Sequence, residues 1–212
     1  MSKLQAGLIA FIALIIGVVV AITIAPPGSD KKTEYVSLYP QARALPNFQL
    51  VDHNNQLFTP ENLMGHWSLV FVGYTYCPDI CPTTLAELKG IYPELQKIPT
   101  DSPIQVVLLS VDPNRDTPER LNEYINFFHP DFIAVSAEHS QLFPLVRAMG
   151  MMYSMSESTD NPDYLVDHSS SVVVVNPKAQ VVGRFKPDFV VGKLPVSEGQ
   201  KILADMPAIV SR

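Results

Sequence analysis

The stretch around the two cysteines constrains the fold of this chain more than any other. A mainly apolar run at residues 68–74 has the character of a strand buried on both faces. Residues 82–96 favour a helix, and Cys77 and Cys81, the only cysteines in 212 residues, lie between strand and helix. Because a helix N-terminus carries a partial positive charge, it stabilises a thiolate over a thiol. The stretch therefore predicts either a redox dithiol or a metal site.

Buried strands alternate with helices through the rest of the chain. Strands joined by helices of about ten or more residues imply right-handed crossovers and a sheet covered on both faces. A hairpin near the C-terminus adds antiparallel strands. We therefore predict an α/β fold, a three-layer sandwich with a mixed central sheet, which is the layout of a thioredoxin-like fold. The expected strands lie at residues 48–51, 56–58, 68–74, 104–111, 132–135, 172–175 and 181–185, and the expected helices at 82–96, 116–128, 136–149 and 196–206.

The N-terminal residues predict one transmembrane helix. Residues 4–25 carry no charge, and only Gln5 and Thr23 interrupt their apolar character. About 20 such residues cross a bilayer core, whereas the apolar region of a cleaved signal peptide is shorter. We predict an uncleaved anchor at residues 1–25, a Pro-rich linker at 26–43 and one globular domain at 44–212.

Charge bears on location and partners. The lysines that flank the anchor leave its orientation open, but a short basic start before a long apolar run favours an anchor whose N-terminus stays in the cytoplasm. Because the chain has no Arg- and Ser-rich transit peptide, we expect a single-pass protein of the bacterial inner membrane, with its domain in the periplasm. The net charge of -6 argues against nucleic acid as a partner.

The spacing C-x-x-x-C leaves more room between the sulfurs than the C-x-x-C of most dithiol oxidoreductases. In a thioredoxin-like fold, the loop that enters the strand at 172–175 lies against the cysteine helix, and redox members place a cis-proline there. This chain has no proline between Pro162 and Pro177 and offers His168 instead. Two thiolates and one imidazole favour Cu(I), because sulfur ligands are soft. A structural zinc site requires four protein ligands, and we find no convincing fourth.

Several neighbouring residues have alternative interpretations. Asp167 either orients the imidazole as a hydrogen-bond acceptor or is simply solvated. Asp79 either tunes the site or contacts a partner, but a turn role is favoured. Thr75 and Arg115 make a peroxidase conceivable, although Arg115 also fits a turn. Four methionines offer thioether ligands for an auxiliary copper site, but a packing role at an apolar strand or loop edge is favoured: Met149, Met151, Met152 and Met155.

Three separated motifs identify a family resemblance. They are YTYCPDICP at residues 74–82, SVDPNRDTP at 110–118 and DHSS at 167–170. Together they resemble the SCO/SenC family of copper chaperones for cytochrome c oxidase, over residues 44–206 and the anchor. The resemblance implies a thioredoxin-like fold and a copper site formed by Cys77, Cys81 and His168.

The resemblance also implies function and partners. It implies delivery of copper to the binuclear CuA centre on cytochrome c oxidase subunit II, without enzymatic activity. The copper is expected as Cu(I), with Cu(II) as a further state, and a disulfide between Cys77 and Cys81 would abolish Cu(I) binding. Other copper chaperones or a thioredoxin-like reductant are the further partners. The alternative function is a membrane-tethered thiol-disulfide reductase that keeps the CuA-site cysteines reduced.

Overall fold

The structure of the protein is a computed structural model that describes Gln5, Gly7 and residues 11–17, 33–155, 159 and 161–212. The chain divides into two compact units, Met1–Lys32 and Thr33–Arg212. In the first unit, residues 11–17 are helical and exposed. Among the described residues, no helix combines the length and the apolar character needed to cross a bilayer. Most of the predicted anchor at residues 1–25 lies outside the described residues and stays a prediction.

The second unit contains the regular elements of an α/β domain. Its helices are α1 (Ile80–Leu95), α2 (Pro118–Phe128), α3 (His139–Ala148) and α4 (Gly199–Val210), with a short 3-10 turn at Pro60–Asn62. Its strands are β1 (Val36–Ala44), β2 (Leu50–Asp52), β3 (Leu57–Phe58), β4 (Trp67–Gly73), β5 (Ile104–Ser110), β6 (Ile133–Ser136), β7 (Tyr153–Met155), β8 (Val166–His168), β9 (Val172–Val175) and β10 (Gln180–Phe185).

Within the described residues, eight of these strands form one sheet in the order β1-β10-β9-β4-β5-β6-β2-β3. Strands β4, β5 and β6 are parallel, and the remaining pairs are antiparallel. The other two strands, β7 and β8, form a separate antiparallel ribbon. The predicted α/β class and mixed central sheet are therefore confirmed.

The central strands are apolar on both faces because both faces are covered. Val70 and Val72 of β4 pack into the core that includes α3 and the β7–β8 ribbon. Leu69 and Phe71 of the same strand pack into the core formed with α1, α2 and α4. Alternation along a strand sends successive side chains to opposite faces, so β4 contributes to both cores. The predicted three layers are present.

The predicted linker is wrong in its second half. Strand β1 spans Val36–Ala44 at the edge of the sheet and pairs antiparallel with β10. All nine of its residues are partly or fully exposed, so the segment has no buried apolar face that sequence alone could reveal. It also contains Pro40, which an edge strand tolerates.

A buried carboxylate fixes the start of β1. Asp205 of α4 accepts hydrogen bonds from the backbone N–H groups of Glu34, Tyr35 and Val36, at 2.9, 2.7 and 2.7 Å. Hydrogen bonds to a charged acceptor are stronger than neutral ones. The domain consequently begins near Thr33, and the boundary predicted at residue 44 falls at the end of a strand.

Candidate metal centre

The fold brings together the three residues predicted as ligands. The donor atoms of Cys77, Cys81 and His168 lie within 4.8 Å of one another. Sγ of Cys81 is 3.5 Å from Nε2 of His168. Both cysteines are buried free thiols, and His168 is partly exposed, so the group is enclosed on the protein side and open through the histidine.

The cysteines occupy the connection from β4 to α1. The N–H of Cys77 donates to the Tyr74 carbonyl at 3.2 Å and closes a turn directly after the strand. Helix α1 begins at Ile80, which places Cys81 in its first turn. Pro82 follows in the same turn, where the missing N–H of a proline costs no intrahelical hydrogen bond. Both sulfurs therefore lie at the positive end of α1.

Gly73, the last residue of β4, makes room for one sulfur. A Cβ atom at this position would lie 2.5 Å from Sγ of Cys81 and 3.2 Å from Cδ1 of Leu108. Any side chain there would displace the thiol. We did not single out this glycine from the sequence; the available signal was a glycine at the end of an apolar strand.

His168 is positioned by the ribbon of β7 and β8, where it pairs with Tyr153. Its Nδ1 lies 3.2 Å from the carbonyl oxygen of Ser169. Because a carbonyl can only accept, this contact requires a proton on Nδ1, and Nε2 is the ring nitrogen that faces the cysteines. The ring of Tyr74 meets the imidazole edge-on, with centroids 5.8 Å apart. Both ribbon strands have three residues, too few for a pattern that predicts them from sequence.

The two thiols have opposite protonation tendencies. The Cys81 thiol, followed by the side chain of His168 and the backbone N–H groups of Cys81 and Asp79, stabilises the thiolate of Cys77 and lowers its pKa to about 4, against the opposing effect of burial. The pKa of Cys81 is raised well above its usual value, because its proton is shared with Cys77 and because it is buried. The reduced pair therefore holds one thiolate and one thiol.

A polar clamp ties the turn after β5 to the segment that carries the histidine. Nε of Arg115 donates to Oδ2 of Asp112 at 2.5 Å. The other guanidinium nitrogens donate to the carbonyls of Pro162 and Tyr164, at 3.0 and 2.9 Å. The hydroxyl of Tyr164 donates to the same buried carboxylate, and burial together with this acceptor raises the pKa of Tyr164 to about 12. The clamp fixes the residues that lead directly into β8.

A second buried carboxylate supports the cysteine turn. Asp116 accepts hydrogen bonds from the N–H and hydroxyl of Thr75, at 2.9 and 2.7 Å, and from the hydroxyl of Ser110 at 2.6 Å. Burial raises the pKa of Asp116. The Thr75 hydroxyl also accepts from Nε of Arg120 at 3.1 Å. Both side chains suggested for a peroxidase, Thr75 and Arg115, are therefore engaged in structural hydrogen bonds.

The two aspartates predicted near the site are exposed. Asp79 precedes α1 without a capping hydrogen bond from its side chain, and its carbonyl accepts from the hydroxyl of Thr83 at 2.7 Å. Asp167 lies beside His168 in β8. The observed acceptor of Nδ1 is the Ser169 carbonyl, and the roles predicted for both carboxylates stay predictions.

The four methionines do not share one environment. Met149 and Met151 are buried in the core, and Met155 packs against it. Met152 is exposed and lines a cavity of about 440 Å³ together with Phe143 and His168. The predicted packing role therefore holds for three of the four methionines.

These features define the class of protein. A mixed sheet covered on both faces, a dithiol at a helix N-terminus and an imidazole facing it describe a thioredoxin-like domain with a candidate metal centre. A family model described as SCO1/SenC matches residues 37–193. The chain belongs to the SCO1/SenC family, which confirms the resemblance found from its motifs.

Relatives and solved structures agree with this assignment. The chain is 38% identical over 151 residues to a protein of Stutzerimonas stutzeri, covering 71% of this chain and 73% of that protein. It is 37% identical over 139 residues to the SCO2-like protein RP587 of Rickettsia prowazekii, covering 65% and 67%.

The crystal structure of Arabidopsis thaliana ScoI with copper bound matches with a TM-score of 0.66 at 27% identity, covering 79% of this chain and 99% of that one. The solution structure of apo Sco1 from Thermus thermophilus matches with a TM-score of 0.69 at 29% identity, covering 84% and 98%. The predicted thioredoxin-like fold is confirmed.

Proposed function

We propose that this protein is a copper chaperone that binds copper through Cys77, Cys81 and His168 and delivers it to the CuA centre of cytochrome c oxidase subunit II. The observation that carries the proposal is the convergence of the three donor atoms within 4.8 Å. Two sulfurs and one imidazole nitrogen suit Cu(I). Copper is the cargo of this protein.

The protonation states of the three residues favour capture of a cation. Cys77 is already a thiolate, and Nε2 of His168 faces Sγ of Cys81. Of the two cysteines, only Cys81 has a proton that must leave when the metal enters. Cu(I) then takes the place of the proton that the two sulfurs share, so the cysteine pair keeps the net charge that it had before binding.

The open side of the site suits release by ligand exchange. His168 is partly exposed, whereas Cys81 is fully buried. A thiolate of the acceptor can therefore replace the imidazole first and the sulfurs afterwards. The copper stays Cu(I) throughout, so the transfer needs no electron donor or acceptor.

We further propose the location and partners that the sequence predicts. Residues 1–25 would anchor the protein in the bacterial inner membrane and leave the domain in the periplasm. Other copper chaperones would load the site, and a thioredoxin-like reductant would restore the two thiols after oxidation. The match to ScoI of Arabidopsis thaliana with copper bound supports the metal in this proposal.

A thiol-disulfide reductase is the second candidate, and the low pKa of Cys77 favours it. The Cys77 thiolate would attack one sulfur of a disulfide in the partner and form a mixed disulfide. Cys81, after losing its proton, would then attack Sγ of Cys77 and release the partner as a dithiol. The cysteine pair supplies both electrons and ends as a disulfide. This chemistry does not require His168.

Copper transfer to the acceptor separates the two functions. The full-length protein, loaded anaerobically with Cu(I), is mixed with the reduced, copper-free CuA domain of subunit II, and the visible spectrum of CuA is recorded after reoxidation. The chaperone proposal predicts CuA formation that fails with His168→Ala. If that variant still reduces the disulfide of an oxidised CuA domain, while neither protein transfers copper to the reduced domain, the reductase replaces the chaperone.

A further inference from the structure

The loop after β10 exposes an apolar surface that the fold does not use. Phe189 is 85% exposed, Val190 is half-exposed and Val191 is fully exposed. We call these three residues the apolar tip. Isolated apolar side chains are common on protein surfaces, but a contiguous group marks a site of interaction.

The apolar tip is held by specific local structure. The N–H of Lys193 donates to the Val190 carbonyl at 3.0 Å, which closes a turn. Gly192 in this turn has a φ of 83°, a conformation that favours glycine. Below the turn, Lys201 pairs with Asp188. The exposure of the tip is therefore fixed by the turn that carries it.

The apolar tip and the candidate metal centre lie at the same edge of the sheet. Phe185, the last residue of β10, pairs with Val172 of β9, which in turn pairs with Phe71 of β4. The end of β10, the start of β9 and the end of β4 are therefore level with one another. Cys77 follows β4 by four residues, and His168 precedes β9 by four.

A shared cavity shows how close the loop comes to the cysteine helix. Thr83 and Glu87 of α1 line a space of about 500 Å³ together with Val190, Lys193 and Leu194. Thr83 is two residues beyond Cys81. The loop thus borders the helical turn that holds the buried sulfur.

Two lysines near the apolar tip have no carboxylate partner among the described residues. Lys186 and Lys193 are exposed, and within the described part of the chain neither forms an ion pair. The third lysine, Lys201, pairs with both Asp188 and Glu198. These two cations stand out on a chain with a net charge of -6. A complementary surface would be apolar with an acidic rim.

We propose that the apolar tip is a docking surface for the protein that exchanges copper with the metal centre, and that this partner presents an apolar patch rimmed by carboxylates. The proposal rests on the proposed function. Ligand exchange brings the partner within bonding distance of the copper ligands, and a standard interface buries about 800 Å² on each side. A patch of that size centred on the metal site extends roughly 16 Å in every direction and covers the neighbouring loop. A lipid bilayer on the same edge would instead cover the ligands and give copper no acceptor.

The test measures binding and copper retention separately. Full-length protein in phosphatidylcholine nanodiscs, loaded with Cu(I), is titrated against the soluble CuA domain of subunit II. We expect Val191→Asp and Phe189→Ser to weaken binding by about tenfold or more, as for an apolar hot spot. Lys193→Glu should weaken binding and reduce its dependence on salt. All three variants should retain as much Cu(I) as the wild type.

The matched control is Phe127→Ser. Phe127 is 78% exposed, but it lies near the end of α2, which starts after β5 at the metal edge and runs to the opposite edge. This variant should bind like the wild type.

Each alternative outcome has its own meaning. If the wild type binds and the tip variants bind equally well, the docking proposal is overturned and the proposed function stands. If the wild type retains copper but does not bind the CuA domain, the proposed acceptor is wrong and the docking proposal falls with it. Quenching of Phe189→Trp fluorescence by brominated lipid in the nanodisc would place the tip in the bilayer and also overturn the proposal.

Discussion

Sγ of Cys81 lies 3.5 Å from Nε2 of His168, although 87 residues separate the two in the chain. The pairing of β4 with β9 brings them together, because Cys81 follows β4 and His168 precedes β9. The site is thus a product of the central sheet, and the unfolded chain cannot form it locally. Binding of a metal to this site would stabilise the folded domain by mass action.

Because the two cysteines share a proton, we predict that the alkylation rate of Cys77 depends unusually weakly on pH. Because the pKa of Cys77 is about 4, its thiolate fraction falls only when the pH drops towards that value. Between about pH 5 and 8 the rate of Cys77 alkylation by iodoacetamide should be nearly constant, whereas an ordinary thiol gains about tenfold per pH unit. Mass spectrometry of the reduced, metal-free protein measures the rate, and Cys81 should stay unmodified.

The Cys81→Ala variant is the control for this prediction. It removes the thiol that stabilises the Cys77 thiolate most strongly, so the pKa of Cys77 should rise and the pH dependence should return. A tenfold rise per pH unit at Cys77 in the wild type would show that the two sulfurs do not share a proton.

We predict that a side chain at position 73 disturbs the metal centre more than it disturbs the fold. In Gly73→Ala the added Cβ meets Sγ of Cys81 at 2.5 Å, so the sulfur has to move. We expect a loss of about 1–3 kcal/mol in the free energy of unfolding, as for other overpacked cores, together with weaker Cu(I) retention. Urea unfolding and copper content after desalting measure the two effects.

Gly90→Ala is the matched control. Gly90 is exposed in α1, and a Cβ there would meet nothing within 4 Å. The substitution should leave copper retention unchanged and stabilise the helix by about 0.5–1 kcal/mol. Equal behaviour of the two alanine variants would mean that the approach of Gly73 to Cys81 has no consequence.

We predict that the hydrogen bonds of Arg115 stabilise both the folded domain and the segment that carries His168. Arg115→Ala leaves the carboxylate of Asp112, which is 0% exposed, without its ion pair and should cost about 3 kcal/mol of unfolding free energy. Tyr164→Phe removes one hydrogen bond to the same carboxylate and should cost less, about 1.5 kcal/mol. Urea unfolding of the metal-free protein measures both values.

Lys97→Ala tests whether these losses are specific. Lys97 pairs with Glu94 on the surface, and both side chains are more than half exposed, so its loss should change stability by less than about 0.5 kcal/mol. Copper retention should fall in Arg115→Ala, because the segment entering β8 loses its anchor, and should not change in Lys97→Ala. A stable Arg115→Ala variant with normal copper retention would contradict the role of the clamp.

Elements with a long apolar or helical run of residues could be predicted from the sequence. Strand β4 and helix α1 followed from an apolar run and a helical run, and the positions of the cysteines followed from both. His168 could be connected to them only through the expected fold, since no local pattern links residues so far apart. Exposed strand β1 and the ribbon of β7 and β8 were missed, because an edge strand and three-residue strands bury too little apolar surface to leave a pattern.

The supporting contacts were harder to foresee than the ligands. The sequence predicts a turn at Arg115, and the turn is present, but the carbonyl groups that Arg115 contacts, those of Pro162 and Tyr164, lie in a distant segment. The requirement for Gly73 depends on where a sulfur eight residues later comes to rest. Such relationships depend on tertiary geometry, which a single sequence does not display.

The most direct test of this account is the ligation of Cu(I) in the full-length protein. The reduced protein is loaded anaerobically and desalted, and bound copper is measured per chain alongside X-ray absorption at the copper edge. We predict about one copper per chain with sulfur and nitrogen ligands, as expected for a soft three-donor site. In His168→Ala the nitrogen should be lost and affinity should fall by at least the ~10–100-fold that loss of a supporting hydrogen bond costs. The melting temperature should be retained, since His168 is partly exposed. Absence of retained copper in the wild type, or an unchanged nitrogen ligand in the variant, would contradict the central claim.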